Sequence, residues 1–521
     1  MTSLLGDETL VRSHIRATLM PGFVGTVLPG WLRQRLRDGL GAVCLFGQNI
    51  VSIDQLRALT DSIRAANPLA VIAIDEEGGD VTRLYFHSGS PYPGNAILGR
   101  IDDLGYTEEV GRLVGWELRK AGCTLTFAPD TDVNSNPDNP VIGVRSFGVD
   151  PARVGLHSAA WVRGVQSTGV AACPKHFPGH GDTALDSHLA MPVVDLPTAT
   201  LRERELVPFG AAIAAGARTI MTSHILLPQI DAENPATLSS RVLGGLLRTE
   251  LGFTGVIVSD ALDMKGASGI LGIPGAAAAA LAAGCDLLCI GTENTAEQLD
   301  EIEAAVLAAA LAGTLPEDRL AEAAGRVGRL AVGISAATLS IPIPDAALAA
   351  TEPRFDTGRI IASFAVSDHA KRWLAAAPES YAVVRLDTAT NIAVGAAPWG
   401  PFAEVAAHPE SGLGAAWRAK PLVGRTAADH EALDLADRAA VVVIGKDNHR
   451  HPFIRDLVDA LRAERRDVLV VDMGWPSDDL AYADIATFGA SRLAGRALLE
   501  LLVFPSGEPA EIAGAARRAA S

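Results

Sequence analysis

Val71-Ile72-Ala73-Ile74-Asp75-Glu76-Glu77-Gly78-Gly79-Asp80 is a short apolar run that stops abruptly in acids and glycines. Nothing polar alternates within the run. That is the habit of a strand buried on both faces, as in a parallel sheet. With Ala70 included, it is one of eight such runs in the first 290 residues. The others lie near Thr18–Val24, Gly41–Phe46, Thr124–Ala128, Val170–Pro174, Arg218–Thr222, Val256–Ser259 and Asp286–Ile290. Ala-rich amphipathic stretches separate them. Strands that alternate with helices imply right-handed βαβ units. Eight of them predict an α/β fold with a closed (β/α)8 TIM-like barrel of about 250–330 residues. An open doubly wound sheet is the weaker reading, because no Gly-x-Gly-x-x-Gly follows the first strand.

The polar residues cluster on this map. Asp75, Asp130–Asn139, Lys175–His188, His224 and Asp260 all follow the C-terminal end of an expected strand. In a barrel that rim carries the active site. The barrel is assigned residues 1–335, ending in a helix near Pro316–Gly333. Residues 336–353 contain Ser340-Ile341-Pro342-Ile343-Pro344 and read as an extended linker. Residues 354–521 read as a second α/β unit, with strands expected at Tyr381–Leu386, Ala439–Ile444 and Asp467–Asp472. Its Gly445-Lys446-Asp447-Asn448-His449-Arg450-His451 reads as a solvated loop.

Composition excludes several functions. Of 521 residues, 48% are hydrophobic, which is too many for a mainly disordered chain. The formal net charge of −17 argues against nucleic acid and anionic membrane as partners. Cys44, Cys123, Cys173, Cys285 and Cys289 are odd in number and mostly sit in apolar stretches, unlike a disulfide framework. No secretory signal is visible. The longest apolar stretch, Gly275 to Cys285, is too short to span a bilayer, which takes about 20 residues. A cytoplasmic enzyme acting on small molecules, without a cofactor, is the expectation.

The densest chemistry lies in Lys175-His176-Phe177-Pro178-Gly179-His180-Gly181-Asp182-Thr183-Ala184-Leu185-Asp186-Ser187-His188. Asp186 and His188 are two apart and share a side of an extended segment. A carboxylate beside an imidazole holds its tautomer and suits acid/base work near neutrality. His176, His180, Asp182 and His188 can also be read as metal ligands. That reading is the weaker one, since no Cys joins them and no helical His-x-x-x-His face is present. His180 and Asp182 are expected to be structural. Asp260 ends a buried apolar run, where an acid is costly unless paired or working, so it is a candidate nucleophile. The competing role is an ordinary helix cap. Asp75 suits hydrogen bonds from sugar hydroxyls, and Arg145 can fork onto a carboxylate or polar ligand.

Lys-His-Phe-Pro-Gly-His-Gly-Asp-Thr with Asp-Ser-His beyond it resembles glycoside hydrolase family 3, in its β-N-acetylglucosaminidase (β-N-acetylhexosaminidase) branch. Asp75 opening an acidic Gly-Gly motif, Arg145 in Ile-Gly-x-Arg-Ser-Phe, and Ser259-Asp260 match the branch in the same order. The resemblance covers roughly residues 15–335, and beyond 355 the layout looks like the family's α/β sandwich. It implies Asp260 as nucleophile, His188 as acid/base with Asp186 as its partner, and Asp75, Arg145, Lys175 and His176 as sugar-binding residues. No metal is implied. The implied reaction removes terminal non-reducing β-linked N-acetylglucosamine with retention, and muropeptide fragments are the branch's familiar substrates. A neutral His left after aglycone departure repels an incoming anion less than a carboxylate does. Phosphate therefore joins water as an expected acceptor.

The chain departs from the branch in two places. Glu76 and Asp80 stand where the branch commonly has Gln and Arg. Pointing inward, they would weaken affinity for anionic aglycones and leave chitin-derived or glycoprotein-derived saccharides open. A family 3 β-glucosidase and a non-catalytic saccharide-binding protein are the alternatives.

Overall fold

The computed structural model describes residues 2–183, 191–269, 271–376, 378, 381–389, 391–418, 422–426, 440–464 and 467–503. Its fold is α/β. Eight short strands, β1 Leu19–Met20, β2 Ala42–Leu45, β3 Val71–Ile74, β4 Leu125–Thr126, β5 Ala171–Ala172, β6 Thr219–Met221, β7 Val256–Val258 and β8 Leu288–Cys289, each fall inside one expected run. β2 to β5 form one parallel sheet, while β6 pairs with β7 and β8 with β1, again parallel. Backbone bonds join these pieces. Cys44 N donates to Pro21 O at 3.0 Å, Met221 N to Pro174 O at 3.0 Å and Ser259 N to Leu287 O at 2.9 Å. A small antiparallel hairpin pairs Leu226–Leu227 with Asp231–Pro235.

Alternation along the strands explains their unbroken apolar character. Ala42, Cys44, Val71, Ala73, Leu125, Ala171, Cys173, Val256 and Cys289 meet in one cluster. Val43, Leu45, Ile72, Ile74, Ala172 and Ile257, one residue out of phase, join another with the helices. Both faces are therefore buried. The helix Ile53–Ala66 shows how the second layer attaches. Ser52 caps it by accepting from Gln55 N, and Leu56, Leu59 and Ile63 recur on its buried face. Each such side chain stabilises by about 1.5–3 kcal/mol on burial.

The helix expected near Pro316–Gly333 runs further, from Glu317 to Ser340. The first part of the presumed linker is thus helical, because Ala336-Ala337-Thr338-Leu339 offers no break. It stops at Ile341 (φ −110°, ψ 98°), which Pro342 bars from helical geometry. Asp345–Ala349 forms another short helix.

The remaining strands are β9 Ala365–Val366, β10 Ala382–Leu386, β11 Leu422–Thr426, β12 Ala440–Gly445, β13 Asp467–Asp472 and β14 Ile485–Ala486. They form one sheet in the order β9-β14-β13-β12-β10-β11, parallel except at β9. β10, β12 and β13 were expected. β9 and β14 are too short for a pattern, and a Gly and an Arg interrupt β11.

Two loops of this sheet reach the first region. Asn391 donates to Pro140 O and Val141 O at 3.0 and 3.1 Å, and Ala393 O accepts from Arg83 at 2.7 Å. Arg450 donates to Asn139 O at 2.5 Å and to Pro137 O. The expectation of a solvated Gly445–His451 loop is therefore corrected. Asn448 is buried, bonding Val471 O and Tyr482 O, and Arg450 is a bridge. No helix among the described residues is long and apolar enough to cross a membrane.

Candidate active site

A cavity of about 360 Å³ lies where the loops after β3, β4, β5 and β7 converge. Asp75, Arg145, Lys175, His176 and Asp260 all line it, together with Glu77. The two remaining expected residues, Asp186 and His188, lie outside the described residues.

Most of the floor is charged and mutually paired. Lys175 Nζ stands 2.6 Å from Asp75 Oδ1 and 2.8 Å from Glu77 Oε1. Arg145 forks onto Glu77 through Nε at 3.0 Å and Nη2 at 2.7 Å. Burial alone would raise the Asp75 carboxyl, but Lys175, Arg83 and Arg145 bring it down to about 2. Arg145 and Lys175 bring Glu77 to about 2 against the same penalty. Both remain carboxylates at neutral pH, able to accept hydrogen bonds from hydroxyls.

His176 is a neutral imidazole. Burial pushes its pKa well down, and Arg145 and Lys175 push the same way. Its Nδ1 lies 2.7 Å from Asp132 Oδ2, and Arg145 Nη2 lies 3.4 Å from its Nε2. A donor at Nε2 makes that nitrogen the acceptor, so the proton belongs on Nδ1 and is donated to Asp132. Asp132 also accepts from His176 N at 3.2 Å and His180 N at 2.7 Å. Both Asp132 and Asp130 are raised, chiefly by burial.

Asp130, Asp132 and His176 are the described residues placed closely enough to share a metal ion, with ligand atoms within 4.8 Å. Their partners are already present. Arg145 lies 3.4 Å from Asp130, and the Asp132–His176 bond would have to break for an ion to enter.

Asp260 follows β7 directly. Its Oδ1 accepts from Ala261 N at 2.8 Å, and Ala261 O contacts His224 Nε2 at 3.0 Å. The next helix, Lys265–Ser268, has Met264 at its N-cap position, so Asp260 is not its cap. The stem of the His-rich loop is fastened separately. Asn139 donates to His180 O and Gly181 O at 2.8 and 2.9 Å, and Arg204 pairs with Asp182 at 2.6 Å. A Cβ on Gly181 would lie 1.6 Å from Val133 O.

Residues 32–330 match the profile of the glycosyl hydrolase family 3 N-terminal domain. The chain belongs to glycosyl hydrolase family 3. This family 3 chain is 39% identical to a β-hexosaminidase of Stenotrophomonas maltophilia (strain K279a), over 52% of this chain and 82% of that one. It is 34% identical to β-hexosaminidase A of Pseudoalteromonas piscicida over 62% of this chain, spanning 58% of that relative's length. A solved glycoside hydrolase family 3 β-N-acetylglucosaminidase from Paenibacillus sp. str. FPU-7 is 28% identical. It matches at a TM-score of 0.78, covering 94% of this chain and 96% of that one.

Several residues of the cavity escaped the sequence reading. Glu77, the shared partner of Arg145 and Lys175, sits two residues after Asp75, so the period of an extended segment could have found it. Asp132 lies in a segment noted only as polar. Ile392 and Ala393, which complete the cavity wall from the far sheet, carried no signal. Glu76 and Asp80, expected near the sugar, turn elsewhere. Glu76 Oε2 accepts from Thr82 Oγ1, Arg83 N and Leu84 N, and Asp80 Oδ1 accepts from Ala490 N. Neither lines the cavity.

Proposed function

We propose that this chain is a retaining β-N-acetylglucosaminidase that releases terminal non-reducing β-linked N-acetylglucosamine through a covalent glycosyl-enzyme. The β-hexosaminidase relatives support the activity. The observation that carries the assignment is that Asp260 shares one cavity with Asp75, Glu77, Arg145, Lys175 and His176. That cavity has room for one sugar ring and is lined by donors and acceptors facing inward. In this reading residues 1–335 form the catalytic (β/α)8 barrel, 336–353 the connection and 354–521 an α/β sandwich.

The chemistry follows from those groups. The Asp260 carboxylate attacks the anomeric carbon as the bond to the aglycone oxygen breaks. His188, oriented by Asp186, gives its proton to that oxygen. Water, deprotonated by the now neutral His188, then attacks the same carbon and expels Asp260, restoring the configuration. Phosphate in place of water would yield the sugar 1-phosphate. Asp75, Arg145, Lys175 and His176 hold the hydroxyl and amide groups. Their mutual pairing keeps them fixed before substrate arrives, so little reorganisation remains at the transition state. We place the protein in the cytoplasm, in keeping with its five free, buried cysteines.

The test is release of p-nitrophenol from the β-N-acetylglucosaminide and the β-glucoside, with and without phosphate, in wild type, Asp260→Ala and His188→Ala. Turnover of the first substrate that falls at least ~1000-fold in Asp260→Ala supports the mechanism. Full activity in that variant refutes it. Preference for the glucoside would favour the β-glucosidase reading. A sugar 1-phosphate product would make phosphate an acceptor.

A further inference from the structure

A second cavity, of about 330 Å³, lies at the opposite end of β3 from Asp75. Ala70 and Val71 at the start of β3, and Thr124 just before β4, form part of its wall. The rest combines apolar side chains with Arg57, Arg64 and Arg119, and no acid is among the described lining residues. That lining runs against the chain's net charge of −17. We infer that this cavity binds a small apolar carboxylate, such as a medium-chain aliphatic acid. Its chain lies against Leu69, Ile334, Leu339 and Ile343, and its carboxylate beside Arg57 and Arg64. The inference goes beyond the glycosidase reading and does not depend on it.

The charges carry the first part. Arg57 Nε lies 3.1 Å from Asp61 Oδ1, and Arg64 Nη2 lies 2.7 Å from the same oxygen. Arg119 donates to carbonyls, those of Thr168, Thr338 and Ile341. Burial, and then the neighbouring Arg57 charge, hold its guanidinium below the ordinary range. Two helix ends also face these arginines. Arg57 and Arg64 reach Lys120 O and Gly122 O at the end of the helix Leu104–Ala121, and Arg119 reaches Thr338 O in the last turn of Glu317–Ser340. Each helix end carries about half a negative charge. Three guanidiniums against one carboxylate and two helix ends leave about one positive charge, the complement of one more carboxylate. The Asp61 side chain is 53% exposed, so its hold on Arg57 and Arg64 is screened and both can turn to a ligand.

The apolar wall carries the second part. Leu339 is 86% exposed, the most of any large hydrophobic side chain among the described residues, and Leu69 is 47% exposed. Both line the cavity with Ile334 and Ile343. The bonds from Arg119 to Thr338 O and Ile341 O, at 3.1 and 3.0 Å, fix the turn that presents Leu339. A preformed wall binds without an ordering cost. An aliphatic chain laid on it removes both surfaces from water, whereas a fully hydrated anion gains nothing there.

Isothermal titration calorimetry of the full chain tests this with octanoate, hexanoate and octylammonium. Octanoate should bind at one site with Kd below about 1 mM. Hexanoate, two methylenes shorter, should bind about 10-fold more weakly, at about 3- to 4-fold per methylene. Octylammonium, of matching length and opposite charge, should bind at least ~10-fold more weakly than octanoate. Arg57→Gln should weaken octanoate about 3- to 10-fold, less at high salt. Leu339→Glu alters a solvent-facing side chain and should weaken it at least ~10-fold. Octanoate held in the catalytic cavity would respond to neither substitution. Affinity unmoved by both variants, or matched by octylammonium, would overturn the proposal, as would no binding at about 10 mM octanoate.

Discussion

Arg145 holds Glu77 with two nitrogens, at 2.7 and 3.0 Å, while both side chains are 4% exposed. A fork this buried fixes one arrangement of the cavity floor. Taking both charges out of water is costly, and the arrangement is kept because Lys175 shares the same carboxylate at 2.8 Å.

Removing the carboxylate should therefore cost more than the pair contributes. Glu77→Gln leaves Arg145 and Lys175 buried against one fewer negative charge. Urea denaturation should show a loss of about 3–5 kcal/mol, with kcat/KM down at least ~10-fold. Unchanged stability would mean that the floor tolerates free cations.

Glu76 gives stability a pH dependence of defined sign. Burial raises its carboxyl from 4.5 to about 7, and the bonds from Thr82, Arg83 and Leu84 offset that only partly. The unfolded chain loses the proton first, so stability present below pH about 4.5 is lost as pH rises to about 7. The full difference is about 3 kcal/mol. Glu76→Gln keeps an oxygen for the three donors and removes the titration. Its stability relative to wild type should improve between pH 4.5 and 8, as urea midpoints at the two pH values would show. Parallel curves would contradict the shift.

Gly181→Ala should unfold the stem of the His-rich loop or cost more than about 3 kcal/mol, because the new Cβ would overlap Val133 O at 1.6 Å. The three nearest atoms are all Val133 backbone, so no flexible side chain is there to yield. Thermal melting of the variant is the measurement, and a shift below about 2 °C would show that the loop relocates freely.

A strong chelator should leave the rate on the aryl N-acetylglucosaminide within about twofold. The Asp130, Asp132 and His176 donors already face Arg145 and each other. Inactivation that added divalent ion reverses would put a metal reading ahead of the metal-free one.

Much of this was legible beforehand, for identifiable reasons. Strands buried on both faces are apolar throughout, and all eight early runs contain one. Asp75, Arg145, Lys175, His176 and Asp260 follow strand ends, where a parallel array gathers its loops on one side, and all five reach the same cavity. The illegible parts depend on partners distant in the chain. The helix overran Gly333 because a single Gly does not stop a helix that Pro342 ends later. Glu76 looked like a pocket acid because nothing local says that Oε2 will be consumed by three donors in the next turn.

The sequence by itself determined the order of strands and helices, the family and the residue types at the rim, since periodicity and short motifs are local properties of the chain. Only the tertiary structure decided which charges neutralise which. Lys175 meets Asp75 across 100 residues, and Arg145 meets Glu77 across 68. Ion pairing depends on distance through space and on exclusion of water, and neither is written in the spacing of residues along a chain.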